Sequence, residues 1–229
     1  MIVGTGLIGS SLISVDMPGA TVFASGVSNS QETSQESFRR ERELLQGHLR
    51  QPRESHLIYI STCSVGESLQ DSSPYIEHKK RMEKLTLSGP NTSIVRLPNV
   101  VGPSGNKRNL VNYFVDAVGS GKKIFVQKLA KRYLLGVDEM TALIGAYISQ
   151  GPENGAIVEF APPFSTPVTE LVRQIEQILG LEGNVEIVGG GSSYLVDFKD
   201  TSRYSKSAGV EFPEDYTNSI LKKWVQKPA

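Results

Sequence analysis

Three apolar residues, Met1 to Val3, run directly into Gly4-Thr5-Gly6-Leu7-Ile8-Gly9, and Ser10-Ser11-Leu12-Ile13 follow with helical spacing. A strand, a G-x-G-x-x-G turn and a helix in immediate succession leave few folds open. The first glycine permits the tight turn, the second lets a ligand approach the backbone, and the third lets the helix pack close to the strand. Backbone N–H groups at the start of that helix then face outward, where a pyrophosphate can bind them. The pattern predicts a dinucleotide site with Gly4, Gly6, Leu7, Ile8 and Gly9 around the phosphates. The helix is expected to be short, because Asp16, Pro18 and Gly19 break it.

Alternation of strands and helices continues along the chain. Ala20 to Ala24 reads as a second strand and Thr33 to Leu49 as an amphipathic helix, with Thr33 and Glu36 spaced as a capping box. The mixed run Arg39-Arg40-Glu41-Arg42-Glu43 reads as a solvated face. Leu57 to Ile60 and Thr92 to Leu97 are strands, separated by a helix that opens near Ser73-Pro74 and stops at Gly89-Pro90. Further on, helices are expected over 109–118, 139–148 (capped by Asp138), from Thr166 or Pro167 through Leu179, 200–207 and 216–225, with strands at 123–126, 132–135, 156–160 and 185–188. This succession predicts an α/β fold: a mostly parallel sheet with helices on both faces, occupying residues 1–160. The segment 104–135 would join a small C-terminal lobe, 161–229.

One stretch carries chemistry. The strand ending Ile60-Ser61-Thr62-Cys63-Ser64 places hydroxyls at its carboxyl end, and the following helix carries Tyr75 and Lys79 four residues apart, on one face. A phenol beside an ammonium, facing a hydroxyl, is a proton-transfer arrangement. A cation near the ring is expected to lower the phenol from its ordinary value of about 10. Cys63, opposite Thr62 by strand alternation, is expected in the core. His48, His56 and His78 are expected at the surface or as satisfied core residues.

Composition removes other classes. Lys plus Arg and Asp plus Glu both number 24, so no excess of charge points to nucleic acid or to an anionic membrane. No apolar run is long enough to span a bilayer. One cysteine and three scattered histidines give neither a disulfide framework nor metal-ligand spacing, and suit a reducing, cytoplasmic setting.

Taken in order, GTGLIGSSL, YISTCSV, Tyr75-Ile-Glu-His-Lys79 and VRLPNVVGP make the chain resemble the extended short-chain dehydrogenase/reductases, the nucleotide-sugar epimerase and dehydratase group; KRYLLGVDEM is a looser fifth match. The resemblance implies an NAD- or NADP-dependent enzyme acting on a nucleotide sugar in surface polysaccharide synthesis, possible as a homodimer. It implies Tyr75 as general acid/base, Lys79 as the residue that lowers its pKa and holds the nicotinamide ribose, and Thr62 as the aligning hydroxyl. Ser25, Gly26, Ser61, Lys79, Pro98, Asn99 and Val100 would complete the cofactor site. Thr62, Tyr75, Asn99 and Arg132 would contact substrate, Arg132 through its phosphates. The chain departs from the family by carrying Ser25-Gly26-Val27-Ser28-Asn29 where two further βα units should come first, so the adenosine-binding half is expected to be missing and the first strand to lie near a sheet edge. The family's helix asparagine is also absent; Glu41 or Arg42 stands near its position. The alternative is a non-catalytic descendant that binds a nucleotide or a partner without turnover.

Overall fold

The computed structural model describes residues 1–15, 19–51, 54–66, 73–103, 106–191 and 193–225. Asp16 and Pro18, expected to break the first helix, lie outside them. In chain order the elements are β1 (Ile2–Val3), α1 (Leu7–Ser11), β2 (Ala20–Phe23), α2 (Gln35–Arg50), β3 (His56–Thr62), α3 (Pro74–Leu87), β4 (Thr92–Leu97) and β5 (Asn99–Val101). They continue with α4 (Leu110–Gly119), β6 (Ile124–Gln127), β7 (Lys131–Arg132), β8 (Leu134–Gly136), α5 (Val137–Ser149) and β9 (Ile157–Glu159). The remainder are β10 (Thr166–Pro167), α6 (Val168–Leu179), β11 (Val185–Val188), α7 (Lys199–Ala208) and α8 (Tyr216–Trp224).

The central sheet has five parallel strands in the order β1-β2-β3-β4-β9. Strand alternation splits its side chains between two cores. Leu57, Tyr59, Phe23 and Ile94 pack with Leu45 of α2 and Met82 of α3. Ile58, Ile60, Val22 and Val95 pack on the opposite face with Leu12, the α5 residues Met140, Leu143 and Ile144, and Tyr204 of α7. Both faces are therefore covered, as a parallel sheet requires.

The topology carries a mark of the shortening. The steps β1 to β2, β2 to β3 and β3 to β4 all move the same way across the sheet. Yet α1 lies on the face opposite α2 and α3, so the β1–α1–β2 connection has the opposite hand to the two after it. Such connections are right-handed in about 98% of cases. From the position of α1, a connection of the usual hand would deliver the next strand to the other side of β1, where the described sheet ends. The open edge of β1 is thus where the resemblance would place its two further βα units.

A third core gathers Phe114 and Val118 of α4, Ile124 and Val126 of β6, Leu171 and Ile175 of α6, and Ile220 and Leu221 of α8. It unites the segment before β7 with the C-terminal elements, and β6 pairs there with β11. α7, by contrast, packs against α5 on the main sheet. No helix among the described residues is long and apolar enough to cross a membrane.

Two capping expectations are corrected. Ser34, not Thr33, caps α2, its side chain accepting from Ser37 N–H; the side chain of Glu32 bonds the N–H groups of Thr33 and Ser34 and turns the chain one residue later than expected. Asp138 lies inside the first turn of α5, where Gly136 is the cap and the Asp138 carboxylate pairs with Lys223.

Candidate active site

Parallel strands bring their carboxyl ends to one edge, and ligands of open α/β sheets bind along that edge. Here it collects the glycine turn after β1, Ser25-Gly26 after β2, Thr62 at the end of β3, and Pro98-Asn99-Val100 after β4.

The glycines fit their expected parts. Gly4 has φ +132°, and a Cβ there would lie 2.5 Å from the Ala24 carbonyl oxygen. A Cβ on Gly9 would lie 2.3 Å from the Gly4 carbonyl oxygen. Nothing lies within 4 Å of a Cβ built on Gly6. First and third glycines are forced by backbone contact, while the second faces open space. Leu7 and Ile8 follow on α1 and pack toward the sheet.

β3 ends at Thr62, and the chain folds at once into a tight turn, Cys63–Gly66. Ser64 N–H donates to Thr62 Oγ1 at 3.2 Å. α3 begins at Pro74 with Ser73 as its cap. The Thr62 hydroxyl lies near enough to the Tyr75 phenol to favour its ionised form, and Lys79 Nζ lies 6.0 Å from the Tyr75 ring centroid. Thr62, Tyr75 and Lys79 therefore meet. The sign of the Tyr75 shift differs from expectation: burial pushes the phenol up, and the Lys79 charge and the nearby Thr62 hydroxyl only partly oppose it. Tyr75 is 7% exposed and Lys79 3%, so desolvation of the phenolate outweighs a single nearby cation.

The decisive residue is Glu41. The expectation of a solvated Arg39–Glu43 face fails at this position, where α2 turns its carboxylate into the protein at 0% exposure. Four donors converge on it. Lys79 Nζ lies 3.0 Å from Oε1 and Tyr59 OH 2.5 Å from the same atom, while Val27 N–H donates to Oε2 at 2.7 Å and His78 Nε2 lies 3.0 Å from it. Burial alone would raise this carboxyl, but the Lys79 charge and the hydrogen bonds from His78, Tyr59 and Val27 overcome it and hold it at about 2. Lys79 also donates to Tyr59 OH at 3.0 Å. Gly26 closes the group from above: a Cβ there would lie 2.5 Å from Lys79 Nζ and 2.9 Å from Glu41 Oε1. Phe38 stacks on the His78 ring at 4.5 Å. The Lys79 ammonium is thus committed to partners inside the protein. One sequence signal existed for Glu41: three residues before the apolar Leu44-Leu45 pair, it falls on the edge of the stripe that faces the sheet.

Other site residues fall elsewhere. Ser61, pointing away from Thr62, donates to Glu83 Oε1 at 2.6 Å. Glu83 receives a two-pronged contact from Arg96, which also binds Glu159 at 3.0 Å, so Ser61 belongs to a network tying β3, α3, β4 and β9. Asn99 Nδ2 donates to the Tyr133 carbonyl at 3.3 Å, and Val100 pairs with Leu135. Arg132 sits on β7, which pairs with β10, and donates to the Lys131 carbonyl. Ser25 accepts a long contact, 3.4 Å, from Arg40 through its carbonyl. Cys63 is 1% exposed, as expected of a core residue, and burial pushes its thiol well up. Two cavities flank this region. One of about 580 Å³ runs between α1 and α5, past Ser10, Ser11, Thr141 and Trp224. The other, about 270 Å³, lies beyond Gly26 and Val27. Neither is lined by Thr62, Tyr75 or Lys79.

No protein-family model and no curated protein matches the chain. Solved structures do. A dTDP-glucose 4,6-dehydratase from Streptomyces venezuelae, with NAD and TYD bound, shares 17% identity at a TM-score of 0.70, over 90% of this chain and 71% of its own. A UDP-glucuronic acid 4-epimerase from Bacillus cereus, in complex with UDP-glucuronic acid and NAD, shares 14% at 0.67, over 90% and 74%. RMD from Pseudomonas aeruginosa, complexed with NADPH, shares 17% at 0.62, over 96% and 87%. The chain therefore has the α/β fold of these proteins, in a shortened form.

Proposed function

We propose that the protein is an NAD- or NADP-dependent oxidoreductase of the short-chain dehydrogenase/reductase type, acting as epimerase, dehydratase or reductase on a nucleotide-linked sugar, in surface polysaccharide synthesis. The observation that carries this reading is the meeting of Thr62, Tyr75 and Lys79 at the sheet edge that also holds the glycine turn. The structurally similar dehydratase and epimerase, crystallised with NAD, support it.

Gly4, Gly6, Leu7, Ile8 and Gly9 fit a dinucleotide pyrophosphate, because Gly6 leaves the space and α1 offers its N-terminal N–H groups. Ser25, Gly26, Pro98, Asn99 and Val100 stand at the ends of neighbouring strands, where a nicotinamide would lie. The cofactor, once bound, supplies hydride transfer. The chain supplies proton transfer. With its phenol raised by burial, Tyr75 is neutral near pH 7 and serves first as an acid, giving its proton to a sugar oxygen while Thr62 aligns that oxygen. Lys79, fixed by Glu41 and Tyr59, stabilises the phenolate that results. Asn99 and Arg132 would complete the substrate side.

The second reading is a descendant that binds without turnover. It is favoured by the internal commitment of Lys79 and by the place of β1 at the end of the sheet, with no described strands where adenosine would be supported. Titration with NADH and NADPH, followed by product analysis with nucleotide sugars, separates the two. Turnover that Tyr75→Phe abolishes supports the enzyme. Turnover unchanged in Tyr75→Phe removes the mechanism, and absence of binding to either cofactor favours the second reading.

A further inference from the structure

The cavity beyond Gly26 and Val27 has a composition unlike the rest of the site. Its volume is about 270 Å³, and its wall includes Ser28, Asn29, Ser37, Arg40, Asn106 and Arg108. Three elements build it: the loop after β2, the first turns of α2, and the stretch leading into α4. Among the described residues, neither guanidinium has a carboxylate within 4.0 Å; of the arginines of α2, Arg39 forms the ion pairs instead. Glu32, the acid in the same wall, is already engaged, since its Oε1 accepts from Thr33 and Ser34 N–H, and the charge of Arg108 is among the causes that lower its carboxyl. The positive end of the sixteen-residue α2 adds to the same field.

We propose that this cavity binds an oxyanion, a phosphate or carboxylate carried by a small polar molecule, between Arg40 and Arg108. Paired arginines suit either group, because their planar forks match both geometries. Asn29 and the serine hydroxyls offer neutral donors around them. The position links the anion to chemistry. Val27 lines the cavity and belongs to the same small core as Tyr75, and Gly26, also in the wall, abuts Lys79 Nζ. An anion held there borders residues that pack with Tyr75 and Lys79, so the group recognised belongs to the reacting sugar. Arg132, the expected phosphate contact, is not part of this wall. The inference rests on the proposed enzymatic reading for its meaning, but not for its test.

The test is calorimetric titration of the full chain with inorganic phosphate, glucose 1-phosphate and glucuronate, with glucose as the uncharged control. At least one anion is expected to bind at millimolar concentration and glucose not to. Arg40→Gln and Arg108→Gln should each weaken that binding by about tenfold to a hundredfold, the worth of hydrogen bonds to a charged group. Arg42→Gln, also on α2 but off the cavity wall, should leave it unchanged. Preference for glucuronate or for the phosphates fixes which oxyanion the substrate carries. No binding of any anion, or binding that survives both arginine substitutions, overturns the proposal. Cofactor binding is measured separately: anion binding lost in Arg40→Gln with binding of neither NADH nor NADPH would uphold the site and refute the dehydrogenase reading.

Discussion

Replacing Glu41 by glutamine keeps the shape of the side chain and removes its charge. The cost follows from the geometry. Holding the carboxyl at about 2 against an ordinary 4.5 means that the folded protein favours the ionised form by 2.5 pH units, or about 3 kcal/mol. Glutamine loses that and more, because its amide NH2 must face one of four donors, Lys79 Nζ, Tyr59 OH, His78 Nε2 or Val27 N–H. Removing one partner of a buried pair commonly costs about 3–5 kcal/mol, since the other charge stays buried. Urea unfolding followed by the fluorescence of Trp224, the single tryptophan, should show this as a lower midpoint with an unchanged slope. Adding Lys79→Met to Glu41→Gln should recover part of the loss, because no buried charge is then left alone. A loss below about 1 kcal/mol for Glu41→Gln, or a Lys79→Met effect identical in both backgrounds, would refute the account of Glu41 as the centre of the network.

Acid should act through the same carboxylate. Its folded pKa lies below the unfolded one, so its stabilisation is complete above about pH 4.5 and is lost as pH falls toward 2; in Glu41→Gln, stability measured by urea titration across this window should vary less with pH. Gly26→Ala should destabilise the protein by about 1–3 kcal/mol, because its Cβ would meet Lys79 Nζ at 2.5 Å, measurable as a lower melting temperature. Gly9→Ala should be worse than Gly6→Ala in the same assay, since only the former drives a Cβ into backbone, at 2.3 Å from the Gly4 oxygen. Cys63, 1% exposed with its thiol raised, should resist iodoacetamide at pH 8 in the native protein and react when urea unfolds it.

Local rules made most of the fold readable. β4 and β11 fall where their apolar runs fall, and α3 starts at the Ser73-Pro74 signal. The shortened architecture was legible too, because Ser25-Gly26-Val27 arrives one helix after the glycine turn. The hand of the β1–α1–β2 connection was not, since it depends on which face receives α1 and no local residue encodes that. Thr62, Tyr75 and Lys79 could be assembled from a strand end and a helical spacing. Of Glu41 only its place on the edge of the buried stripe was legible, because a carboxylate among arginines looks solvated unless one knows that Lys79, His78 and Tyr59, all distant in sequence, point at it. The sign of the Tyr75 shift was missed for a related reason: spacing shows a neighbouring cation but not how much water is lost.

Those two misses are connected. A lysine that faces solvent or a ribose would be free to draw the phenol toward ionisation; this lysine is neutralised by Glu41 and enclosed under Gly26. Tyr75 therefore feels less of the cation than its distance suggests and more of the burial. Removing the Glu41 charge would expose the phenol to an uncompensated ammonium, and its pKa should fall. If the Tyr75 mechanism operates, Glu41→Gln would shift the alkaline limb of the pH–rate profile downward even where the variant remains folded. An alkaline limb that stays in place would show that Lys79 does not act on Tyr75, and that the pair is a structural contact at the sheet edge.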